Sequence, residues 1–210
     1  MQADLLLDLL KGLLNLPAVS YTHLDVYKRQ VRNAGRPVSV LNLFAYTGGA
    51  TLAAAAAGAS VCHVDASKGM VQWARENAAS SGLSDRPIRW IVDDCKKFVQ
   101  REIRRGRKYD AVIMDPPSYG RGPSGETWKI EEDVAEFVAM TMSVLSDKPL
   151  FVLISSYSTG LAPSVMAYLL GITAAKRTAG RIEAQELGLP VESTGLVLPC
   201  GSSARFIAAE

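Results

Sequence analysis

Val40-Leu-Asn-Leu-Phe-Ala-Tyr-Thr-Gly-Gly49, with the alanine-rich run that follows it to Gly58, decides how the rest of the chain is read. It opens as a short apolar run rich in β-formers, the mark of a buried strand. It breaks at a glycine pair and re-enters helix at Ala50. A strand, a tight turn and a helix start gather exposed backbone N–H groups at one point. Glycine there removes the Cβ that would keep a ligand from the backbone. This is the form of a nucleotide-binding turn.

Working outward, strands and helices alternate. Val38–Phe44 is the first strand and Ser60–Asp65 the second, ending on a carboxylate. Ser67 caps a helix over Lys68–Ser81, and Gly82 stops it. Pro87–Val92 is a third strand ending at Asp93 and Asp94, Lys96–Arg107 a basic helix, and Tyr109–Met114 a fourth strand ending at Asp115-Pro-Pro-Ser-Tyr119. A Gly/Pro-rich loop runs to Thr127, followed by a helix from Ile130 to about Leu145. Leu150–Ser155 is a fifth strand, and Pro163 opens a helix to Leu170. Arg181–Leu187 and Leu196–Pro199 pair as a hairpin around Gly188-Leu-Pro190. Such alternation predicts an α/β domain with right-handed crossovers and a mostly parallel sheet. Ligands of these sheets bind outside the carboxyl ends of the strands. The Gly turn, Asp65, the Asp93–Asp94 pair and the Asp115 turn all fall there.

Composition narrows the class. The 210 residues are 48% hydrophobic, enough for a real core, and the net charge of +2 permits an anionic partner without demanding one. Cys62, Cys95 and Cys200 are widely spaced and only His23 and His63 accompany them. No metal site or disulfide framework is expected, and the pattern suits a reducing, cytoplasmic setting. No apolar run is long enough to span a bilayer, so no membrane partner is expected.

Met1–Pro17 has leucines at 6, 9, 10, 13 and 16, an amphipathic-helix pattern. Val19–Gln30 resembles the translation of a sequencing-adaptor string. Residues 1–30 are therefore expected to be a non-native or linker segment, with an ordinary helix and linker as the alternative, and His23 is given no role. Residues 31–210 are the expected catalytic domain.

The chemistry at the strand ends is specific. Asp65 stands where this fold class takes both ribose hydroxyls of a nucleoside, which serves NAD and S-adenosylmethionine equally. Against NAD, Ala53 occupies the place of the third glycine of G-x-G-x-x-G. Asp93 or Asp94 can accept from an adenine amino group. In Asp115-Pro116-Pro117-Ser118-Tyr119 the prolines fix the turn and leave carbonyls without neighbouring N–H groups. A carboxylate and a fixed carbonyl hold an N–H, while Tyr119 offers a face for a base taken out of its stack.

With these residues in view, Val40–Gly49, Val64–Asn77, Asp93–Phe98 and above all Asp115–Ser124 resemble class I S-adenosylmethionine-dependent methyltransferases. The group is that of the bacterial large-subunit ribosomal-RNA methyltransferases, which includes 5-methylcytosine and guanine-N7 enzymes. The resemblance covers Val38 to Phe206, most specifically Asp115–Trp128 and Ser193–Gly201. It implies a Rossmann-like, seven-stranded sheet whose last strand is antiparallel, S-adenosylmethionine as cofactor and RNA as substrate. It also implies an N-terminal RNA-binding region, of which no counterpart is visible. Phe44, Tyr46, Thr47, Gly48, Gly49, Asp65, Ala66, Asp93, Asp94 and Asp115 are the expected cofactor contacts, and Asp115, Pro116 and Tyr119 the catalytic set. Tyr157 and Ser155 are expected at the same mouth. The family's cytosine-C5 enzymes carry a thiolate after the fifth strand, where this chain reads Ser155-Ser-Tyr-Ser-Thr159. Transfer to a base nitrogen is therefore expected. An NAD-dependent oxidoreductase, and a cofactor-binding fragment without activity, are the alternatives. The basic run Lys96–Lys108 is read first as a solvated helix face and second as an RNA patch, with Arg121 and Lys129 better placed for RNA.

Overall fold

The computed structural model describes residues 28–121, 125, 127–158 and 160–209. The expectations for residues 1–27, including the leucine helix and His23, lie outside the described residues, as does the middle of the Gly/Pro-rich loop. Residues 28–33 are helical and lead into the sheet.

The core is a seven-stranded sheet. Its strands are β1 (Ser39–Leu43), β2 (Ser60–Asp65), β3 (Ile88–Val92), β4 (Ala111–Met114), β7 (Phe151–Ser156), β8 (Gly180–Val191) and β9 (Leu196–Ala208), in the order β3-β2-β1-β4-β7-β9-β8. The pairs β1–β2, β2–β3, β1–β4 and β4–β7 are parallel, and β9 runs antiparallel to both β7 and β8. This is the Rossmann-like sheet the sequence led us to expect, with its last strand reversed. Strands β5 (Tyr119–Arg121) and β6 (Thr127–Lys129) form a separate antiparallel ribbon where a structureless loop was expected. The helices are α1 (Gly49–Ala56), α2 (Lys68–Ser80), α3 (Cys95–Arg104), α4 (Ile130–Thr141), α5 (Pro163–Ile172) and the short α6 (Ala174–Arg177).

Period-2 alternation sorts the strand residues between two faces. Leu41, Leu43, Cys62, Val64, Val112, Met114, Val152 and Ile154 face α3, α4 and α5. Val40, Val61, Ala111, Ile113, Phe151 and Leu153 face α1, whose Ala54 and Ala55 allow close approach, and the helical residue Val31. Strand order reverses at β1, so the loops after β1 and β4 diverge and leave a crevice at their carboxyl ends.

The C-terminal hairpin differs from expectation. Its turn is at residues 192–195, closed by the Gly195 amide donating to the Val191 carbonyl at 2.9 Å, and not at Gly188-Leu-Pro190. Gly188 marks a register shift beside Leu187, and Pro190 is accommodated because β8 is an edge strand. Cys200 accordingly lies within β9.

Beneath α1 lies a buried polar chain. Asn42 Nδ2 donates to Thr51 Oγ1 at 2.9 Å, and Thr51 Oγ1 lies 2.9 Å from His63 Nδ1. The direction of the Thr51–His63 bond follows the imidazole tautomer, and the other ring nitrogen is Nε2. That nitrogen is buried without a partner among the described residues, and the ring packs on Trp90 at 4.9 Å. Burial lowers the His63 pKa to about 4. The unfolded chain takes up this proton first, so His63 contributes stability above pH 6.5 that is lost as pH falls towards 4. The full loss is about 3 kcal/mol. We expect the His63 Cε1–H resonance to titrate near pH 4; a midpoint near 6.5 would contradict the buried neutral ring.

Candidate active site

The loop after β1 is held in an unfavourable conformation. Phe44 and Tyr46 have φ of 55° and 47°, left-handed values uncommon outside glycine. Such strain persists only where surrounding bonds over-determine it. Here the Phe44 amide donates to Cys95 Sγ at 3.3 Å, the Ala45 amide to the Val64 carbonyl at 3.1 Å and the Tyr46 amide to Asp65 Oδ2 at 2.9 Å. Asn77 Nδ2 donates to the Thr47 carbonyl at 3.0 Å. Asp65 works at both ends, because its Oδ1 also accepts from the Ser67 amide at 2.9 Å.

Gly48 has a different reason from the one its sequence suggested. Its φ is 90°, and a Cβ would lie 3.0 Å from that of Ala74. The residue is needed for backbone conformation and for close packing of α1 on α2. Gly49 has open space around it.

A cavity of about 450 Å³ opens at the crevice between the β1 and β4 loops, within the range of small-molecule sites. Phe44, Tyr46, Asp65, Ala66, Asp94 and Asp115 line it together with Pro116. Ser67, Cys95, Pro117, Ser118 and Tyr157 complete the walls, and Gly120, Arg121 and Trp128 of the ribbon close one side. Thr47, Gly48, Gly49, Asp93, Ser155 and Tyr119 are not on its surface. Asp93 pairs with Arg101, whereas Asp94 caps α3 by accepting from the Lys97 amide at 2.8 Å. Tyr119 is exposed on β5, and its hydroxyl accepts from Arg121 Nε at 3.2 Å.

The basic run behind Asp94 is largely spent on internal pairs. Lys96 meets Glu136 at 3.0 Å, Arg105 meets Glu102 at 3.1 Å, and Lys108 Nζ donates to the Ser143 carbonyl at 2.7 Å. Lys129 pairs with Glu132 at 2.9 Å.

Asp115 is the electrostatic focus. Its Oδ1 is buried with no partner among the described residues, and burial raises its pKa to about 6. An orphaned buried carboxylate oxygen on a cavity wall is an acceptor that a ligand N–H would satisfy. The Pro117 carbonyl is already taken, by Trp128 Nε1 at 2.7 Å. Trp128, Ser67 and Cys95 were missed from the sequence as cavity residues. A signal for Trp128 existed: an indole beside proline carbonyls needs an acceptor and finds one there.

The fold with its crevice is that of Rossmann-like methyltransferases. A structure of magnesium protoporphyrin IX methyltransferase from Synechocystis PCC 6803 with bound S-adenosylmethionine shares it at TM-score 0.59 and 16% identity, covering 90% of this chain and 80% of that one. The crystal structure of the S-adenosylmethionine-dependent methyltransferase from Agrobacterium tumefaciens is 39% identical, with TM-score 0.82, over 89% of this chain and 61% of that one. The family model for S-adenosylmethionine-dependent methyltransferases matches residues 12–137. The chain belongs to that family, whose cofactor is S-adenosylmethionine, and the oxidoreductase alternative is not favoured. Among curated proteins, the ribosomal RNA large subunit methyltransferase K/L of Shewanella frigidimarina is 35% identical over 123 residues, 58% of this chain. This chain matches only 17% of that relative's length.

The residues present fit the cofactor. Asp65 and Asp94 supply carboxylates on the cavity wall, and Phe44 and Tyr46 supply apolar faces, the acceptors and surfaces a nucleoside-bearing cofactor needs. Among the described residues no helix is long and apolar enough to cross a membrane, and no cluster of His, Cys, Asp and Glu gathers to hold a metal.

Proposed function

We propose that the chain methylates a base nitrogen of RNA, ribosomal RNA being the substrate class suggested by the relative's name. The observation that carries this is the buried, unpartnered Asp115 oxygen, in one cavity with Asp65 and Asp94. On this reading Asp65 holds the ribose and Asp94 the adenine amino group, with Phe44, Tyr46 and Ala66 against the nucleoside. Thr47, Gly48 and Gly49 act at one remove, by shaping the loop. S-adenosylmethionine supplies an electrophilic methyl group when bound. Asp115 accepts the N–H of the target base, fixes its nitrogen in line, offsets the positive charge that develops as the nitrogen gains the methyl group, and takes up the proton the nitrogen then sheds. The Pro116 carbonyl, which no described donor reaches, is a second acceptor, and Tyr157 at the mouth offers a stacking face. Arg121 lies where the RNA backbone would approach, with Tyr119 as an exposed platform beside it. A cytoplasmic setting follows from an RNA substrate. Residues 1–30 take no part in this account.

The two buried thiols favour nitrogen over cytosine C5. Burial raises the Cys95 thiol far above its ordinary range and the Cys62 thiol to about 11, and both are buried. Neither is a ready thiolate nucleophile. The combined variant Cys62→Ala, Cys95→Ser, Cys200→Ser is expected to keep transfer from labelled cofactor to bulk ribosomal RNA within about threefold, since the hydroxyl that replaces the Cys95 thiol can still accept from the Phe44 amide. Loss of transfer in a variant that remains folded and cofactor-bound would return the mechanism to cytosine C5.

A further inference from the structure

The Asp115–Ser118 turn does not brace itself. Pro116 and Pro117 have no N–H groups, and among the described residues no bond runs from the Ser118 amide to the Asp115 carbonyl to close the turn. Its fixings come from outside. Trp128 Nε1 donates to the Pro117 carbonyl at 2.7 Å, the Ile130 amide donates to the Ser118 carbonyl at 3.0 Å, and Ser118 Oγ meets Ser158 Oγ at 2.5 Å. The first two of these bonds come from the junction of β6 and α4. A Cβ placed on Gly120 would lie 3.5 Å from Pro117 Cγ and 3.8 Å from Trp128 Cβ, so the ribbon sits directly against the turn.

Trp128 also reaches the other loop. Its ring lies 5.1 Å from that of Phe44, the left-handed residue at the start of the cofactor loop, and both pack on Phe137 at 5.4 Å. One side chain therefore spans the crevice between the β1 and β4 loops, with its polar edge on one and its apolar face near the other.

We propose that Trp128 is a positioning residue: its indole N–H fixes the Pro117 carbonyl and thereby sets Asp115 and the Pro116 carbonyl for the incoming N–H of the methyl acceptor. This rests on the methyltransferase reading of the same cavity. The β5–β6 ribbon is then a structural brace of the acceptor turn. The ring of Trp128 serves packing and the N–H serves alignment, and the two are separable by substitution.

Trp128→Phe keeps an aromatic ring against Phe44 and removes the N–H. We expect kcat for RNA methylation to fall about tenfold, the size of one net hydrogen bond, with cofactor affinity by calorimetry within about twofold. Hydrogen exchange of the cofactor-bound chain is expected to quicken in residues 115–121 while residues 39–65 are unchanged. A purely structural Trp128 would lower cofactor affinity and turnover together, and that result overturns the proposal. So would exchange and turnover both indistinguishable from the unaltered chain. If the unaltered chain transfers no methyl to RNA, the RNA reading fails, and the exchange comparison alone then decides: local quickening upholds the brace and identical exchange overturns it.

Discussion

At pH 7.5 the Asp115→Asn variant is expected to be more stable than the unaltered chain and nearly inactive. Burial raises the Asp115 pKa from 3.8 to about 6 in the folded state. The folded chain therefore holds this proton more tightly than the unfolded chain. The resulting stability is fully present below pH 3.8 and is lost as pH rises through 6. Above that the ionised carboxylate is a liability of about 3 kcal/mol, which a neutral amide of the same shape relieves. A thermal midpoint several degrees higher should follow in calorimetry. Transfer should fall about a hundredfold or more, because the amide keeps an acceptor oxygen but cannot offset charge on the attacking nitrogen. In the unaltered chain the rate should rise with pH through about 6, and the variant's residual rate should lack that rise. An equally active variant would contradict the role given to the Asp115 charge, and a less stable one would show that the carboxylate is held by partners the cavity does not reveal. This titration also opposes that of His63 between pH 4 and 6, so the acid sensitivity from His63 is best measured in the Asp115→Asn background.

Asp65→Ala is expected to abolish useful cofactor binding by two routes. The ribose loses a charged acceptor, which costs about 1.5–3 kcal/mol, or roughly ten- to hundredfold in affinity. The Tyr46 and Ser67 amides lose theirs as well. The left-handed Phe44–Tyr46 segment is then free to relax out of its strained conformation. Asp65→Asn keeps an acceptor oxygen for these amides and should recover part of the affinity. Unchanged affinity in Asp65→Ala, read by calorimetry with S-adenosylmethionine, would remove the ribose assignment.

The sheet was legible because its signals are local. Runs such as Val40–Leu43 and Val112–Met114 are short, β-branched or apolar and bounded by Gly, Pro or Asp, and each became a parallel strand. Asp65 and Asp94 were legible as cavity residues because a carboxylate that closes a strand sits at the ligand-bearing edge. Their second roles, bonding the Tyr46 amide and capping α3, were not, since those depend on how loops fold back. Of the neighbouring aspartates, only tertiary structure could separate Asp94, in the cavity, from Asp93, paired with Arg101. Gly48 was read as making room for a ligand, yet its missing Cβ makes room for Ala74, a contact between helices remote in sequence. The β5–β6 ribbon was missed because Gly120 and the glycines and proline that follow carry loop chemistry, while the pairing of Tyr119 with Lys129 is set by Trp128 packing under the turn. Tyr119 looked like a stacking platform inside the site because it follows the prolines so closely. The ribbon instead turns it outward and brings Gly120 and Arg121 to the cavity.

The central claim is that this cavity delivers a methyl group to a base nitrogen held by Asp115. It is tested most directly by incubating the chain with S-adenosylmethionine carrying a ¹³C-labelled methyl group and ribosomal RNA, then analysing the nucleosides by mass spectrometry. The account predicts the label on a ring or exocyclic nitrogen of a base, and its loss in Asp115→Asn. Label on cytosine C5, on ribose oxygen, or on no nucleoside at all while the cofactor still binds, would contradict it.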